Sequence, residues 1–466
     1  MDISAFITGV KGFLSEAQVI TEKEGLSHFC YDATELRFMP DVVLLPYSTG
    51  EVSKILRLSY EYDVPVTPQG GRTGLSGGAL PVMGGAVLSL LRMNRIIEID
   101  EKNLQAVVEP GVISDDLQKE VLKYGLLFPP EPSSTVESTV GGNVAENAGY
   151  TRAVKYGVTR DYILGLEAVL PDGEVIQVGG RTVKNVAGYD LVSLLAGSEG
   201  TLAVITKITF KLLPKPRIRR TCIIYLDDLV TAADLVVHIF KSGIIPCAIE
   251  LMDDISINAV ADYLVTDLKR DAAALALVEL DGNHEEAVLE EARQVVSIAE
   301  RLGGVREARL AKDGQEADRY WMYRRETLPS LKALGKDHLE ADVVVPRYSL
   351  PFLVNAVRQM DIGPKIKVAT YGHAGDGNLH VTIMYRKRNF DELHRAHELL
   401  EQIYKQTVAM DGRLTGEHGV GLTVKDYLGL HTSPAELHLM KRIKHAFDPK
   451  GLLNPGKIFP DEGEEQ

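Results

Sequence analysis

The chain has 466 residues, of which 45% are hydrophobic and 25% charged, and its net charge is −14. A chain of this length exceeds what one hydrophobic core usually serves, so the sequence predicts a globular protein with at least two domains. The acidic balance argues against nucleic acid as a partner, because its phosphates would be repelled.

The cysteine content and the N-terminus restrict the class of protein further. Cys30, Cys222 and Cys247 are far apart, and no CxxC pair occurs. This excludes a disulfide framework and argues against an iron–sulfur cluster or cysteine-bound zinc held by this chain alone. The N-terminus lacks a basic region followed by an apolar stretch, and no run approaches the ~20 apolar residues of a membrane span. We expect a cytoplasmic protein without a transmembrane segment.

The first 215 residues combine one clear helix signal with several short strand signals. Residues 48–51 (STGE) form a capping box that opens a helix with Val52, Ile55 and Leu56 on its buried face. A strand at 64–67 then leads into a glycine-rich stretch. Further strands are expected at 84–90, 104–111, 164–180 with a Pro-Asp-Gly hairpin turn, and 201–214, before a linker at 215–220 (KPRIRR).

Residues 221–310 have a different pattern, that of two β-α-β units. In the first unit, strands at 221–226 and 244–254 flank a helix at 229–242. In the second, strands at 274–282 and 305–311 flank a helix at 284–302. The doubled unit predicts a ferredoxin-like α+β domain, in which helices cover one face of an antiparallel sheet. From about residue 410 the chain is loop-rich, and the acidic tail 461–466 is expected to be solvated.

Three glycine-rich stretches carry the first functional signal: 68–78 (PQGGRTGLSGG), 138–143 with 147–149, and 197–201 (GSEGT). The first contains neither a Walker A motif nor a G-x-G-x-x-G that opens a helix. It offers consecutive backbone N–H groups without Cβ obstruction, as an anion nest for a pyrophosphate requires. Turns explain any single stretch. Three of them in one mostly-β domain favour an extended cofactor lying across it.

A second signal is YGHAGDGNLH, residues 371–380, in which two histidines flank a glycine-rich loop. Gly and Asn residues of this loop can take positive φ, so the chain is expected to reverse there. Residues 379–385 are apolar and β-branched and indicate a strand. The rings of His373 and His380 could then aim at one point. A metal ion is one explanation, but the pair alone does not establish it.

The order of these motifs resembles the vanillyl-alcohol oxidase type of flavoproteins, and within it the FAD-linked D-2-hydroxyacid dehydrogenases. The matching segments are PQGGRTGLSGGALP, STVGGNVAENAG with Lys155-Tyr156-Gly157, KNVAGYDL, GSEGTL and FDPKGLLNPGKIF. The resemblance implies an α+β fold with a two-subdomain FAD-binding domain over residues 1–215. It also implies a ferredoxin-like substrate cap over 216–409 and a C-terminal segment, 410–466, that returns to the FAD domain and completes the active site.

The resemblance also implies how FAD is held. In such proteins the first two glycine stretches wrap the pyrophosphate, and GSEGT lies against the nucleotide. Some relatives tether FAD to a histidine in the first stretch; this stretch has none, so non-covalent FAD is expected. The residues expected to contact FAD are Pro68, Gly70, Gly71, Arg72, Thr73, Gly74, Leu75, Ser76, Gly77, Gly78, Ser138, Thr139, Gly141, Gly142, Asn143, Ala148, Gly149, Tyr156, Gly157, Glu199, Gly200, Val204, Ile205 and Asn454.

For the two histidines, the resemblance implies a catalytic metal. His373 and His380 would bind a divalent ion over the flavin ring, with Glu417 as third ligand and His418 as the base. Taken alone, His418 indicates only a turn and Glu417 only a solvated carboxylate. Two imidazoles and one carboxylate leave coordination positions for the hydroxyl and carboxylate of a 2-hydroxy acid. The metal would lower the hydroxyl pKa while neutral His418 takes the proton and hydride passes to flavin N5. Zinc, manganese and iron(II) all suit this ligand set.

The substrate's carboxylate needs a cation. Arg324 matches the arginine of the family's W-x-x-R element, and Arg347 is a second candidate. Glu340 stands where the D-2-hydroxyglutarate enzymes carry a lysine, and would repel a second acid group. We therefore expect oxidation of a short D-2-hydroxy acid, D-lactate or glycolate. Electrons would pass to a partner protein, an iron–sulfur subunit or an electron-transferring flavoprotein, through which the chain could associate with a membrane.

Three alternatives to this function are open from the sequence. One is a D-2-hydroxyglutarate dehydrogenase. Another is a flavin-free metal-dependent hydrolase that uses the same two histidines and glutamate. The third is a non-catalytic FAD-carrying subunit, which the presence of His418 and Arg324 disfavours.

Overall fold

The computed structural model describes residues 1–335 and 337–461, so all of the acidic tail after Asp461 lies outside the described residues. Its helices are α1 Ile3–Lys11, α2 Lys23–Ser27, α3 Thr49–Tyr62, α4 Ser114–Leu122, α5 Val140–Glu146, α6 Ala153–Tyr156, α7 Leu191–Leu195, α8 Leu229–Lys241, α9 Asp254–Tyr263, α10 Glu285–Leu302, α11 Gly314–Arg325, α12 Thr327–Lys332, α13 Leu350–Gln359, α14 Phe390–Ala409 and α15 Pro434–Phe447. None of the described helices combines the length and the apolar character needed to cross a bilayer.

The strands are β1 Val19–Ile20, β2 Val42–Leu44, β3 Val66–Gln69, β4 Ala86–Ser89, β5 Ile96–Asp100, β6 Gln105–Val108, β7 Leu126–Leu127, β8 Ile163–Val169, β9 Val175–Gly179, β10 Val204–Lys211, β11 Leu213–Pro214, β12 Ile218–Leu226, β13 Ala248–Asp253, β14 Ala274–Gly282, β15 Val305–Leu310, β16 Asp337–Val344, β17 Lys367–Gly372 and β18 Asn378–Tyr385. The chain divides into two compact units. The first comprises residues 1–149, 158–215 and 417–466, and the second 150–157 and 216–416. The sequence predicts boundaries after residues 215 and 409.

Two principal sheets form the framework of the first unit. One has the order β1-β2-β4-β3, with β2, β4 and β3 running parallel. The other is antiparallel, with the order β5-β6-β10-β8-β9, and its β8–β9 hairpin turns at Gly173 (φ +87°) in the predicted Pro-Asp-Gly sequence. A short β11–β7 pair completes the unit. Separate sheets agree with the expected two-subdomain domain.

Helix α3 begins where the sequence predicts. The Ser48 hydroxyl accepts the Glu51 amide (3.3 Å), and Val52, Ile55 and Leu56 are buried in the first unit's core. The Glu51 carboxylate accepts the amide of Tyr47 (2.7 Å), one residue before the predicted partner Ser48. One of the two usual capping-box bonds therefore forms and caps the helix. The Glu51 carboxylate binds the loop before the helix, through Tyr47, instead of the Ser48 amide.

The second unit contains both predicted β-α-β units, β12-α8-β13 and β14-α10-β15, and their strands pair antiparallel in the order β15-β12-β14-β13. The predicted linker at 215–220 is wrong in its second half, because Ile218, Arg219 and Arg220 already pair with β14. The sheet is also covered on both faces rather than one. Ile223 and Tyr225 of β12 pack in a cluster with residues of α9, α11 and α12, as the nearly continuous apolar sequence of the strand allows.

Three further strands extend this sheet to the order β15-β12-β14-β13-β17-β18-β16. Only β18 is predicted by the sequence. Strand β17 pairs with β13 (Leu251↔Gly372) and with β18 (Tyr371↔His380), so the two histidine positions are fixed by a ladder. In the connecting loop Gly377 takes positive φ (+86°), whereas Gly375 and Asn378 do not.

Candidate active site

The three glycine-rich stretches meet in the first unit. A Cβ atom on Gly70 would lie 2.2 Å from the Thr139 hydroxyl, so the first stretch packs on the second at a distance only glycine permits. The amide of Gly197 donates to the Val144 carbonyl (2.9 Å), which joins the third stretch to α5, the helix that connects the two parts of the second stretch. The structure therefore brings together the stretches that the sequence assigns to FAD.

Asn454 joins the first stretch to the third. Its side-chain nitrogen donates to the carbonyls of Gly78 (2.9 Å) and Glu199 (2.8 Å), and its oxygen accepts from Lys457 (3.1 Å). Asn454 is expected from the sequence to contact FAD. In the structure its side chain holds two loops of the predicted FAD site in place.

The first stretch fits a pyrophosphate. Within the described part of the chain, the backbone amides of residues 71–76 donate to no other group. The buried donors Arg72 Nε and Ser76 Oγ likewise have no partner among the described residues. Consecutive unsatisfied donors in a glycine-rich loop are what an anion with several oxygens requires. The residues present therefore fit FAD.

Other predicted FAD contacts have structural partners. Asn143 donates to the Ser114 hydroxyl (2.8 Å), and the Ser138 carbonyl accepts the Ser114 amide (3.0 Å). Val204 and Ile205 are buried in β10. Tyr156 and Gly157 belong to the second unit, where the Tyr156 hydroxyl donates to Asp281 (2.5 Å).

The segment that carries Glu417 and His418 is bound to two of the glycine stretches within the first unit. The Glu199 carboxylate accepts the amides of Val420 (2.8 Å) and Gly421 (2.7 Å), and the Ser76 carbonyl accepts the amide of Leu422 (2.7 Å). The imidazole Nε2 of His418 lies 3.3 Å from Glu417 Oε1. The predicted base and the predicted third ligand are thus adjacent to each other and anchored beside the predicted FAD loops.

A second carboxyl group, that of Glu146, lies beside Glu199. A Cβ on Gly419 would lie 2.3 Å from Glu146 Oε2 and 3.1 Å from Glu199 Oε1. Burial raises the pKa of Glu146 well above its usual value, and the charge of Glu199 raises it further. Burial also raises the pKa of Glu199, but its two amide donors lower it. Both pKa values are raised, that of Glu146 by more, so Glu146 keeps its proton to a higher pH than Glu199.

In the second unit, His373 and His380 face each other. Both are 5% exposed, and their ring centroids lie 5.3 Å apart with the planes nearly perpendicular (84°). His373 follows β17 directly, and His380 lies on β18 opposite both Tyr371 and Asp342. The predicted histidine pair is thus brought together, as the sequence requires for a shared ligand.

Glu250, on β13, links one of these histidines to the predicted substrate arginine. Its Oε1 lies 2.5 Å from His373 Nδ1, and its Oε2 accepts from Arg324 Nε at 2.6 Å. Burial raises the pKa of Glu250, but attraction to Arg324 and His373 outweighs burial and holds the pKa below its usual value. An ionised carboxylate therefore connects the two predicted functional side chains.

The two predicted substrate arginines differ. Arg324 is 7% exposed, lies over the Tyr371 ring (5.0 Å to the centroid), and its buried Nη2 has no partner among the described residues. Arg347 is exposed; its Nε donates to the Gly375 carbonyl (2.7 Å), and its guanidinium lies over the Phe240 ring. Arg324 thus offers a donor to a ligand, whereas Arg347 fixes the loop between the histidines.

Two acidic residues of β16 lie near His380. Its Nδ1 is 3.3 Å from Glu340 Oε1 and 3.7 Å from Asp342 Oδ1. Asp342 also accepts the side-chain amide of Asn378 (2.8 Å) and the backbone amide of Gly416 (3.0 Å). Gly416 immediately precedes Glu417 in the chain.

Sequence reasoning missed the roles of Glu250, Asp342 and Glu146. Of the three, Glu250 is the one acidic residue within an otherwise apolar segment. A carboxylate in a buried strand is costly unless it is paired. Glu250 could therefore have been identified from its place in the apolar run CAIELM.

Comparisons with known proteins identify the family of the chain. Residues 215–458 match the family of FAD linked oxidases, C-terminal domain, and residues 40–179 match an FAD binding domain. Glycolate oxidase subunit GlcD of Bacillus subtilis is 41% identical over 432 residues, 92% of each chain. D-lactate dehydrogenase of Anaerostipes hadrus is 35% identical over 429 residues, 90% of this chain and 89% of that one.

The protein is therefore an FAD-dependent oxidoreductase, and the flavin-free hydrolase alternative is not supported. More particularly, the chain belongs to the family of FAD-linked oxidases.

Solved structures bear on the fold alone. The 4-ethylphenol oxidase of Gulosibacter chungangensis has a TM-score of 0.79 at 20% identity and covers 98% of this chain and 97% of its own. p-Cresol methylhydroxylase has a TM-score of 0.79 at 18% identity, with 98% and 96% covered. The predicted vanillyl-alcohol oxidase fold is confirmed.

Proposed function

We propose that the protein oxidises a short D-2-hydroxy acid, D-lactate or glycolate, to the 2-oxo acid. The names of its curated relatives, a glycolate oxidase subunit and a D-lactate dehydrogenase, support this substrate class. The observation that carries the proposal is Arg324, a buried guanidinium whose Nη2 has no partner in the described chain. A buried N–H donor of positive charge calls for an anionic acceptor, and every 2-hydroxy acid brings a carboxylate.

A divalent metal is part of the proposal, with His373, His380 and Glu417 as its ligands. The Nδ1 of His373 faces the Glu250 carboxylate (2.5 Å) and so carries the proton, which leaves Nε2 as the ligating nitrogen. Glu340 and Asp342 bring negative charge to within 3.3 Å and 3.7 Å of His380 Nδ1. The Gly416 amide is bound to Asp342, and one peptide of about 3.8 Å separates it from Glu417. The donor set suits zinc, manganese or iron(II) and leaves positions open.

In the proposed reaction each functional residue has one role. Arg324 binds the substrate carboxylate and orients the hydroxyl-bearing carbon. His418, as a neutral imidazole, takes the hydroxyl proton. The metal, when bound, lowers the pKa of that hydroxyl, and FAD supplies the hydride acceptor. Arg347 remains a second candidate for the carboxylate, with a weaker case because its Nε is already bound to Gly375.

A partner protein completes the proposed reaction. The three cysteines are free and buried, and their separation gives this chain no cluster site for onward electron transfer. We assign that role to an iron–sulfur subunit or an electron-transferring flavoprotein, and the name of the Bacillus relative as a subunit supports an assembly. A cytoplasmic location, with membrane contact only through the partner, belongs to the same proposal.

Glu340 favours monocarboxylates over D-2-hydroxyglutarate. Its carboxylate lies 3.3 Å from His380 and would repel a second acid group. We expect D-lactate or glycolate to reduce the flavin with a higher ratio of reduction rate to Kd than D-2-hydroxyglutarate does. Anaerobic stopped-flow bleaching of the flavin absorbance with the three acids measures this ratio. If the dicarboxylate is the best substrate, the D-2-hydroxyglutarate dehydrogenase alternative replaces this proposal.

The same assay tests the base. His418→Ala should lower flavin reduction by at least ~10²-fold, the usual contribution of a positioned proton acceptor, while substrate still binds. His394→Ala, which removes an exposed histidine of α14, is the matched control and should leave the rate unchanged. Equal rates in the two variants would remove His418 from the mechanism.

A further inference from the structure

We propose that Glu250 is a positioning residue that prepares two functional groups at once: His373 for the metal and Arg324 for the substrate carboxylate. The inference rests on the proposed function and adds to it a residue that acts only through these two neighbours. One buried carboxylate would then couple the affinity for metal to the affinity for substrate.

The first step is that the backbone fixes the position of Glu250. Strand β13 is an internal strand, paired with β14 through Glu250↔Leu277 and with β17 through Leu251↔Gly372. The Glu250 side chain is fully buried. Because ladders hold the strand on both sides, the carboxylate has a single location, and it can serve as a reference point for the groups bound to it.

The second step is the division of its two oxygens. An arginine and a carboxylate commonly pair through two parallel N–H···O bonds. Here Arg324 uses only Nε, on Oε2 (2.6 Å), because Oε1 is occupied by His373 Nδ1 (2.5 Å). The guanidinium is thus held by one edge, and its buried Nη2 keeps a donor without a partner among the described residues.

The third step concerns His373. A carboxylate on Nδ1 fixes the imidazole tautomer and its orientation, and makes Nε2 a better ligand. The negative charge of Glu250 therefore makes His373 a stronger metal ligand. It also holds the Arg324 guanidinium so that its open edge can bind the substrate carboxylate. A purely structural ion pair would need neither the histidine contact nor the open guanidinium edge.

The test uses Glu250→Gln, which keeps the shape and removes the charge. The matched control is Glu316→Gln, which changes another buried glutamate of the second unit, one whose two oxygens both bind Arg309 (3.0 Å each). The readouts are the zinc Kd, from competition with a chelator of known affinity, and the Kd for pyruvate, from its perturbation of the flavin spectrum. Neither readout requires turnover.

Glu250→Gln should raise the zinc Kd by roughly 10–100-fold, the usual effect of removing a ligand's outer hydrogen-bond partner. It should also raise the pyruvate Kd and leave FAD content unchanged, whereas Glu316→Gln should alter neither constant. Glu250→Asp keeps the charge but cannot reach both neighbours, so at least one constant should rise. Wild-type constants in Glu250→Gln or in Glu250→Asp would overturn the inference.

A double-mutant cycle separates positioning from a general loss of packing. In a His373→Ala background, Glu250→Gln should have no further effect on the zinc Kd. In an Arg324→Ala background, it should have no further effect on the pyruvate Kd. The same increment in every background would overturn the inference alone. If His373→Ala and Arg324→Ala themselves leave both constants unchanged, the proposed function fails with it.

Discussion

Glu146 and Glu199 are two buried carboxyl groups of the first unit that flank the same residue, Gly419. Glu199 accepts two backbone amides, whereas Glu146 Oε2 has no partner among the described residues. Burial and its neighbour raise the pKa of Glu146 well above its usual value, whereas the pKa of Glu199 is raised less. We therefore expect Glu146 to keep its proton to a higher pH than Glu199, whose carboxylate accepts the amides of the loop after His418.

This assignment predicts opposite outcomes for two identical substitutions. Glu146→Gln should leave the stability of the holoenzyme nearly unchanged, because an amide resembles the protonated acid. Glu199→Gln should cost about 1–3 kcal/mol, because an NH2 group replaces one of the two oxygens that accept the amides of Val420 and Gly421. Thermal unfolding of both variants measures this, with the exposed Glu137→Gln as control. A larger loss of stability in Glu146→Gln than in Glu199→Gln would contradict the assignment of the proton to Glu146.

At the same scale, the sequence identifies some site residues and misses others for a physical reason. His373 and His380 are recognisable because glycine and asparagine mark the turn between them. Glu250 lies in an apolar strand, and its partners are Arg324 and His373, 74 and 123 residues away in the sequence. The pairing of β13 with β17 brings His373 to Glu250, and Arg324 comes from a separate element, α11. No local pattern encodes that register.

At the scale of elements, the two β-α-β units are predictable and the added strands are not. Helices α8 and α10 show an apolar stripe, and β12 and β14 are nearly continuous apolar runs. Strand β16 reads DHLEADVV, whose acidic residues disfavour a strand prediction. Two of those residues, Glu340 and Asp342, lie beside His380. The sequence pattern thus fails to predict the strand whose acidic residues lie beside His380.

Asp253 connects three elements of the second unit and titrates in an accessible range. It ends β13, caps α9 through the Ser256 amide (2.8 Å), and accepts the Thr370 amide of β17 (2.6 Å). Burial raises its pKa from 3.8 to about 6. A group whose pKa is higher in the folded state stabilises the fold below its unfolded pKa, and loses that contribution as pH rises through the folded pKa.

The free energy of unfolding, relative to Asp253→Asn, should therefore fall by roughly 3 kcal/mol as pH rises from about 4 to above 6. Asparagine cannot accept both amides, so the two proteins should differ in free energy of unfolding at every pH. The test is how that difference changes with pH. Urea unfolding followed by the fluorescence of Trp321, the single tryptophan, reports on this unit, because Trp321 packs in one cluster with Met252. Asp254→Asn, at an exposed neighbour, should show no such slope. An opposite slope would contradict the raised pKa.

At the scale of the whole molecule, residues 417–461 belong to the first unit. The amide of Val66 donates to the Leu452 carbonyl (2.8 Å), and the amide of Asn454 donates to the Val66 carbonyl (2.8 Å). The C-terminal segment thus pairs beside β3, the strand that leads into the first glycine stretch. Residues far apart in sequence therefore form one FAD-binding framework, and one chain contributes both that framework and His418.

That framework predicts how the cofactor leaves. The first glycine stretch contains no histidine, and we expect its open amides and the unpartnered donors Arg72 Nε and Ser76 Oγ to hold the pyrophosphate without a covalent bond. We expect about one FAD per chain, released intact when acid or heat unfolds the protein, since hydrogen bonds to a nest do not outlast the fold. Absorbance of the supernatant and pellet after acid precipitation measures this. Flavin that stays with the pellet would show a covalent tether that the residues of this stretch do not provide.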